Sequence, residues 1–271
     1  MSATERPRGV ELLDALERGE LRVAERGADG RWTVHVWIKE AILELFRASG
    51  VVGMGNELEI GVHWTLTGRG APFHDKEPLT VRRFAKSDRV RLVPGGSAVR
   101  RGAYVGPGVV CMPPMYVNVG AHVGAGSMID SHALIGSCAQ IGERVHVSAA
   151  AQIGGVLEPP GARPVIVEDG AFVGGNTGIY EGVLVGAGAV VAAGVVLTAT
   201  TPVFDLVHER ELRGTRAQPL EVPAGAVVVP GARPARGEWA RARGLSQACA
   251  LIAKYRDERT DGATALEQAL R

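Results

Sequence analysis

Aromatic residues, cysteines and excess charge are all scarce in this sequence. Phe, Trp and Tyr make up 5% of the 271 residues, although apolar residues together reach 46%. The apolar share therefore consists mainly of Val, Ile, Leu and Ala. No apolar run approaches the ~18 residues needed to cross a bilayer. Glycine, in contrast, is abundant at 37 residues, about twice its usual share. This composition argues against a helical bundle, against disorder and against a membrane-spanning protein.

Charge and cysteine content exclude further classes. Thirty basic residues balance 29 acidic ones, for a net charge of +1, which does not favour a nucleic-acid partner. Cys111, Cys138 and Cys249 are too few and too widely spaced for a disulfide framework or a CxxC metal site. We expect buried thiols in a reducing compartment. The charged N-terminal segment lacks the apolar core of a signal peptide, so the expected location is the cytoplasm.

Aliphatic residues or cysteine recur at every sixth position over much of the chain. The first run is Val99, Val105, Cys111, Val117, Val123, Ile129, Ile135, Ile141, Val147 and Ile153. After an excursion loop near residues 158–166, the spacing resumes two residues out of phase. The second run is Val167, Val173, Ile179, Val185, Val191, Leu197 and Val203. A period of six is typical of a parallel β-helix in which three hexapeptides make one triangular coil. Seventeen hexapeptides predict nearly six coils with these residues pointing inward.

The predicted β-helix divides the chain into three domains. They are a small α/β cap domain over residues 1–90, the β-helix over 91–204, and a β/helical extension over 205–271. Within the cap we expect a helix over 8–20, a hairpin over 21–37, a helix over 38–49 and mixed loops over 51–90. Within the extension we expect a β segment over 222–229 and a last helix over 261–270. The two flanking domains would close the open ends of the stack.

A β-helix of this kind has no interior pocket, because aliphatic side chains fill it. A ligand must therefore bind outside, and we expect it in a groove between packed copies. Flat-faced prisms close naturally into a cyclic trimer. The architecture therefore predicts sites composed of residues from two subunits.

Three segments carry a more specific pattern than the bare repeat. They are PPMYVNVG at 113–120, MIDSHALIGSCAQIG at 128–142 and IGGVLEP at 153–159. These segments resemble the core of the tetrahydrodipicolinate N-succinyltransferases, and residues 21–39 and 249–254 also look like that family. The resemblance implies a left-handed β-helix and a homotrimer without a metal. The implied reaction moves a succinyl group from succinyl-CoA to the amine of 2-amino-6-oxopimelate, the ring-opened acceptor, in the diaminopimelate branch of lysine biosynthesis.

Attack of an amine on a thioester requires a neutral amine, a nearby base and donors for the developing oxyanion. Asp130 follows the inward Ile129 and so lies at the surface near a corner of the prism. It matches a family aspartate implicated in binding and deprotonating the substrate amine, so we predict that it is catalytic. Arg91 resembles a family arginine that binds the substrate dicarboxylate. A guanidinium suits this role because it pairs bidentately with a carboxylate.

The sequence departs from the resemblance at two places. Some family members carry a second catalytic carboxylate where this chain has Gly178. Asn176 and Glu181 are the predicted substrate-binding residues in that segment, and neither restores a carboxylate at the missing position. His132 stands where many members have Trp. These departures leave open an acetyl-CoA-dependent enzyme that acts on the same or a related amino-dicarboxylate.

The donor CoA is expected in a groove between two prisms. Gly154 and Gly155 would line that groove, and Lys254, Arg256 and Arg259 would face the phosphates. The sequence contains no P-loop, because its Gly-x-Gly fragments are glycines of the repeat.

Two further functional classes remain as remote alternatives, a zinc enzyme and a non-catalytic scaffold. Some hexapeptide proteins bind zinc through histidines, but His122 and His146 are 24 residues apart, which places them on different faces of successive coils. His132 occupies another hexapeptide position. A non-catalytic scaffold is the second reading, since a fold does not fix a function.

Overall fold

The computed structural model describes residues 6–54 and 73–257. The predicted helix over 261–270 and Arg259 lie outside these residues. The N-terminal elements are α1 (Gly9–Glu17), β1 (Ala24–Arg26), β2 (Trp32–Val34), α2 (Val36–Ala48), β3 (Val51–Met54), β4 (Phe73–Lys76) and a 3₁₀ helix (Lys86–Asp88). The two predicted helices and the hairpin between them are confirmed. The prediction of only mixed loops after residue 50 is wrong, because β3 and β4 pair as antiparallel strands.

Three parallel sheets then wind into a left-handed β-helix, which confirms the predicted fold class. Sheet 1 contains β5 (Arg91–Leu92), β8 (Val110–Cys111), β11 (Met128–Ile129), β14 (His146–Val147), β17 (Phe172–Val173), β20 (Val190–Val191) and β25 (Ala226–Pro234). Sheet 2 contains β6 (Ala98–Val99), β9 (Tyr116–Val117), β12 (Leu134–Ile135), β15 (Gln152–Ile153), β18 (Gly178–Ile179) and β21 (Val196–Leu197). Sheet 3 contains β7 (Tyr104–Val105), β10 (His122–Val123), β13 (Gln140–Ile141), β16 (Ile166–Val167), β19 (Leu184–Val185) and β24 (Glu221–Val222).

In the two-residue coil strands from β6 to β24 the second residue points inward, and these residues build one continuous core. Ile129 in sheet 1, Ile135 in sheet 2 and Ile141 in sheet 3 are each 0% exposed and belong to the same cluster. Full burial of such a side chain contributes roughly 1.5–3 kcal/mol. The first strand residue points outward, so the outer faces of the prism are free to differ from one another. The three cysteines are buried thiols, as predicted.

The chain leaves the stack twice, both times on its way from sheet 2 to sheet 3. The first departure separates β15 from β16 and is the predicted excursion loop. The second separates β21 from β24. This second departure contains β22 (Val203–Asp205) and β23 (Arg210–Leu212). After β25, the chain continues with α3 (Glu238–Arg241) and β26 (Ser246–Tyr255).

Val203 joins the core cluster of the prism as predicted, but its predicted place in a coil strand of sheet 3 is wrong. Val203 is buried, but it lies in β22, which pairs with β23 and β26 instead of with a coil strand. The strand that stacks on Val185 is β24, through Val222. The six-residue count fails here because the chain makes its second departure before it returns to sheet 3.

The N-terminal region covers the outer face of sheet 3. Arg22 Nε donates to Gln140 Oε1 at 2.7 Å, and Trp32 Nε1 donates to Glu168 Oε1 at 2.9 Å. Leucines and isoleucines of α1 and α2 form a second cluster that includes Cys138 from the prism. One side of the β-helix is therefore occupied by the chain itself.

Lys39 ties α2 to the excursion loop. Its side chain is fully buried, and Nζ donates to the carbonyl oxygens of Pro159 at 3.2 Å and Ala162 at 2.9 Å. Burial lowers the pKa of this ammonium group. The two carbonyls supply hydrogen-bond acceptors that the buried ammonium would otherwise lack. The loop is thereby held against the cap.

Candidate active site

Asp130 and Asn176 lie at the same edge of the prism, which we call corner 1–2 because the chain there turns from sheet 1 into sheet 2. Asp130 follows β11, and Asn176 lies in the turn after β17, two coils along the stack. Neighbouring coils are ~4.8 Å apart, so the two turns are separated by roughly 10 Å along the axis. The turn over residues 148–150 lies between them. The structure therefore brings these two predicted residues to one corner.

One oxygen of the Asp130 carboxylate is used by the turn itself. Oδ1 accepts the backbone N–H of Ser131 at 2.7 Å. Within residues 6–54 and 73–257, Oδ2 makes no hydrogen bond, and the side chain is half-buried. This hydrogen bond restrains the side chain and leaves Oδ2 without a partner among the described residues. A fixed carboxylate with a free oxygen is suited to accept a proton.

Arg91 lies on the adjoining outer face of sheet 1. Arg91 is the first residue of β5. It pairs with Val110 of β8, which in turn pairs with Met128 of β11. Its side chain is exposed, and it forms no ion pair in the described part of the chain. Such a guanidinium remains available to a carboxylate of a ligand.

Gly154, Gly155 and Glu181 lie at a different edge, corner 2–3, where the chain turns from sheet 2 into sheet 3. A Cβ at Gly155 would lie 2.4 Å from the backbone nitrogen of Ser137, so only glycine fits that turn. Glu181 has a left-handed φ of 54° and is exposed. Its Oε2 accepts the N–H of Ala199 at 3.2 Å, which links two coils.

Two of the predicted phosphate-binding cations, Lys254 and Arg256, lie apart from both corners. Arg256 Nη1 donates to the carbonyl oxygens of Gly170 and Gly188, each at 3.2 Å, at the turn from sheet 3 into sheet 1. Lys254 Nζ pairs with Asp257 at 2.9 Å. Lys254 lies within β26 and Arg256 directly follows it, so these two cations do not lie on a helix face. Within one chain the predicted residues are spread over three corners.

The outer face of sheet 2 connects the two corners that carry most of the predicted residues. There the ring of Tyr180 folds back over Gly178. A Cβ at Gly178 would lie 2.5 Å from Tyr180 Cε2 and 2.9 Å from its hydroxyl oxygen. A carboxylate side chain at residue 178 would therefore collide with this ring. Tyr180 was not predicted from the sequence. The one signal for it was the glycine at residue 178, because this residue faces outward from a strand, where no turn requires glycine.

The three histidines of the zinc reading do not meet in one chain. His122 faces outward from sheet 3, His146 faces outward from sheet 1, and His132 occupies corner 1–2. Across the described ranges, no group of three His, Cys, Asp or Glu side chains is arranged to hold a metal ion. In those same ranges no helix is long and apolar enough to span a bilayer.

Comparison with known proteins identifies the family. A family model described as tetrahydrodipicolinate N-succinyltransferase N-terminal matches residues 5–48, and one described as hexapeptide repeat of succinyl-transferase matches residues 164–199. The 2,3,4,5-tetrahydropyridine-2,6-dicarboxylate N-succinyltransferase of Paramagnetospirillum magneticum is 43% identical over 264 residues, which is 96% of this chain and 87% of that protein. The chain belongs to the tetrahydrodipicolinate N-succinyltransferase family.

Other relatives of the succinyltransferase family agree. The enzyme of the same name from Bradyrhizobium diazoefficiens is 43% identical over 96% of this chain and 88% of its own length. A solved structure described as a putative 2,3,4,5-tetrahydropyridine-2-carboxylate N-succinyltransferase from Campylobacter jejuni aligns over 90% of this chain and 61% of its own. Its identity is 16% and its TM-score is 0.46. The two family models and the two relatives at 43% identity confirm the resemblance inferred from the sequence motifs.

Proposed function

We propose that this protein transfers the succinyl group of succinyl-CoA to the amine of 2-amino-6-oxopimelate, the ring-opened form of tetrahydrodipicolinate, in lysine biosynthesis through diaminopimelate. The observation that carries the proposal is the 43% identity over 96% of the chain to proteins named for this reaction. The geometry of corner 1–2 supports it, because a fixed carboxylate and a free guanidinium lie on adjoining surfaces there.

In the proposed mechanism the amine nitrogen attacks the thioester carbonyl carbon. Asp130 Oδ2 accepts the proton that the nitrogen loses as the N–C bond forms. The carbonyl oxygen becomes an oxyanion, which backbone N–H groups at the corner would stabilise. The intermediate then collapses, the C–S bond breaks, and the CoA sulfur leaves and takes up a proton. The products are an amide and free CoA thiol.

Arg91, Asn176 and Glu181 are proposed to bind the acceptor. Arg91 would pair with one carboxylate, because its guanidinium is exposed and unpaired among the described residues. Asn176 would contribute its amide from corner 1–2. The Glu181 oxygen that does not accept the Ala199 N–H would be the one that reaches the ligand.

Gly154, Gly155, Lys254, Arg256 and Arg259 are proposed to contact CoA. The exposed backbone of Gly155 would allow close approach of a ligand at corner 2–3, and Gly154 would contribute the part of its backbone that the Tyr180 ring leaves uncovered. Lys254 and Arg256 already have protein partners, so phosphate contacts would have to compete with these bonds or be added to them.

The active form is proposed to be a homotrimer with the sites between subunits. The spread of these residues over three corners supports this, because a second prism packed beside the first would bring different corners together. The outer face of sheet 2 around Gly178 and Tyr180 is the surface on which such a groove would form, since the cap occupies sheet 3 and also covers the first coil of sheet 2 at Arg100. We place the enzyme in the cytoplasm, because acyl-CoA thioesters are intracellular metabolites, and we expect no metal requirement.

The decisive experiment is release of free thiol from CoA in the presence of tetrahydrodipicolinate, with succinyl-CoA and acetyl-CoA compared at equal concentration. We expect a strong preference for succinyl-CoA. Faster turnover with acetyl-CoA would keep the acyl transfer but reject the succinyl donor. Turnover with neither donor, by protein that is folded by circular dichroism, would reject the proposed reaction.

A further inference from the structure

Tyr180 occupies a slot on the outer face of sheet 2 that two glycines create. Its ring lies over Gly178, as described above, and also against Gly154, where a Cβ would lie 2.8 Å from Tyr180 Cδ1. The backbone of Tyr180 is fixed by its N–H, which donates to Leu197 at 2.9 Å. Both glycines are needed for the ring to lie flat, so the ring position is a built feature of this face.

The Tyr180 hydroxyl is the polar end of that ring, and it points toward corner 1–2. It lies 2.9 Å from the place of a Gly178 Cβ, and Gly178 is only two residues from Asn176. In the part of the chain that the structure describes, this hydroxyl has no hydrogen-bond partner, and the residue is half-buried. A phenolic hydroxyl both donates and accepts hydrogen bonds. Because no other group of the described chain uses this one, it is available to a ligand that binds on this face.

The surroundings indicate what that partner is. Every strand of sheet 2 places two residues on its outer face. The first set is Ala98, Tyr116, Leu134, Gln152, Gly178 and Val196, and the second is Arg100, Asn118, Gly136, Gly154, Tyr180 and Thr198. Neither set contains a carboxylate. The carboxylate of Asp75 reaches the far end of this face from β4 and is paired there with Arg100. Around Tyr180, the outward residues of these two sets offer hydroxyl and amide donors to an anionic oxygen.

We propose that the Tyr180 hydroxyl donates a hydrogen bond to a carboxylate of a bound substrate. This inference rests on the proposed function and deepens it, because both substrates of that reaction carry carboxylates. The carboxylate belongs either to the amino-dicarboxylate acceptor or to the succinyl group of the donor. Tyr180 is a substrate-binding residue in this proposal and not a proton carrier.

The test is Tyr180→Phe, which keeps the ring in its slot and removes only the oxygen. Loss of a hydrogen bond to a charged group corresponds to a rise of ~10-fold or more in the apparent KM of one substrate. We expect kcat to stay within about twofold, because the bond forms in the ground state and the transition state alike. The melting temperature should be unchanged.

The two substrates are distinguished by which KM responds. A rise for tetrahydrodipicolinate alone assigns the bond to the acceptor. A rise for succinyl-CoA without a rise for acetyl-CoA assigns it to the succinyl carboxylate. Tyr104→Phe is the matched control, because Tyr104 stacks on His122 beneath the cap, with ring centroids 4.4 Å apart. It should leave both KM values unchanged.

Unchanged KM values in Tyr180→Phe, or a fall in kcat alone, would overturn the inference while the wild-type turnover still supported the proposed reaction. If the wild type has no turnover, the proposed reaction fails and calorimetric binding of pimelate, a seven-carbon dicarboxylate, decides the inference separately. Binding that is ~10-fold weaker in Tyr180→Phe than in the wild type would uphold it. Equal binding, or none, would reject it.

Discussion

The outer faces of sheet 2 and sheet 3 share one backbone geometry and serve different purposes. On sheet 3, Tyr104, His122 and Gln140 are stacked, bonded and covered by the cap. On sheet 2, the ring of Tyr180 lies over Gly178, and its hydroxyl has no hydrogen-bond partner among the described residues. The difference teaches that the inward residues specify the prism, while each outward row independently determines whether a face is a packing surface or a binding surface.

Among the variants on the side of the prism that the cap leaves open, Asp130→Asn should lower turnover the most. Loss of a general base is expected to lower turnover at least ~10²-fold, while the amide oxygen can still accept the Ser131 N–H and preserve the turn. Steady-state thiol release measures the loss, and circular dichroism measures the fold.

Asp169→Asn is the matched control for that variant. Asp169 Oδ1 also accepts a backbone N–H, that of Glu143, at 2.8 Å, but at the corner between sheets 3 and 1. Its turnover should be close to that of the wild type. Near-normal turnover of Asp130→Asn would remove Asp130 from the mechanism.

Arg91→Ala should have the next largest effect. Loss of a charged hydrogen bond to the acceptor would raise its apparent KM by ~10-fold, with little change in kcat. Arg89→Ala removes an exposed arginine two residues away and should leave the KM unchanged. If both variants behave alike, the effect is one of general surface charge and Arg91 has no specific role.

His122→Phe should have the smallest effect and should change stability instead of turnover. Burial, assisted by Arg22, lowers the pKa of His122 to about 3, well below its usual ~6.5 when unfolded. The neutral ring therefore contributes stability that is fully present above pH ~6.5 and is lost as the pH falls from there toward 3. The loss is ~1.4 kcal/mol per pH unit at most.

Urea unfolding at pH 7.5 and pH 5.5 measures this contribution. The wild type should lose about 1.4 kcal/mol more than His122→Phe between the two values. Phenylalanine keeps a ring against Tyr104, so the thiol-release rate at pH 7.5 should not change. An equal loss in both proteins would mean that His122 takes up its proton without opposition from burial.

The core of the fold could be predicted from the sequence because it is periodic. Ile129, Ile135 and Ile141 are recognisable as inward residues from spacing alone, since each coil repeats the same environment. Val203 could not be assigned to the correct strand, because a departure of unknown length interrupts the six-residue spacing before the next coil strand. The strand β26 was also missed. Its partners are β22 and β25, which are distant in sequence, so no local period marks it.

The site was less predictable for a different physical reason. Asp130 and Asn176 are 46 positions apart in sequence. They share one corner only because whole coils separate their two turns. Whether Arg256 faces a ligand or the backbone depends on where a C-terminal strand ends, which the residue type does not reveal. The ring of Tyr180 folds backward along its own strand, and that rotamer depends on two glycines in different coils.

Both departures of the chain from the stack occur at corner 2–3, and this has a consequence for how such proteins change length. After each departure the chain re-enters sheet 3 in register, through β16 and β24. The entropic cost of closing a loop grows only slowly with its length, so segments of very different size fit between the same two anchor points. Corner 2–3 is therefore a permissive insertion point, at which new surface can be gained or lost while the coils on either side remain as they were.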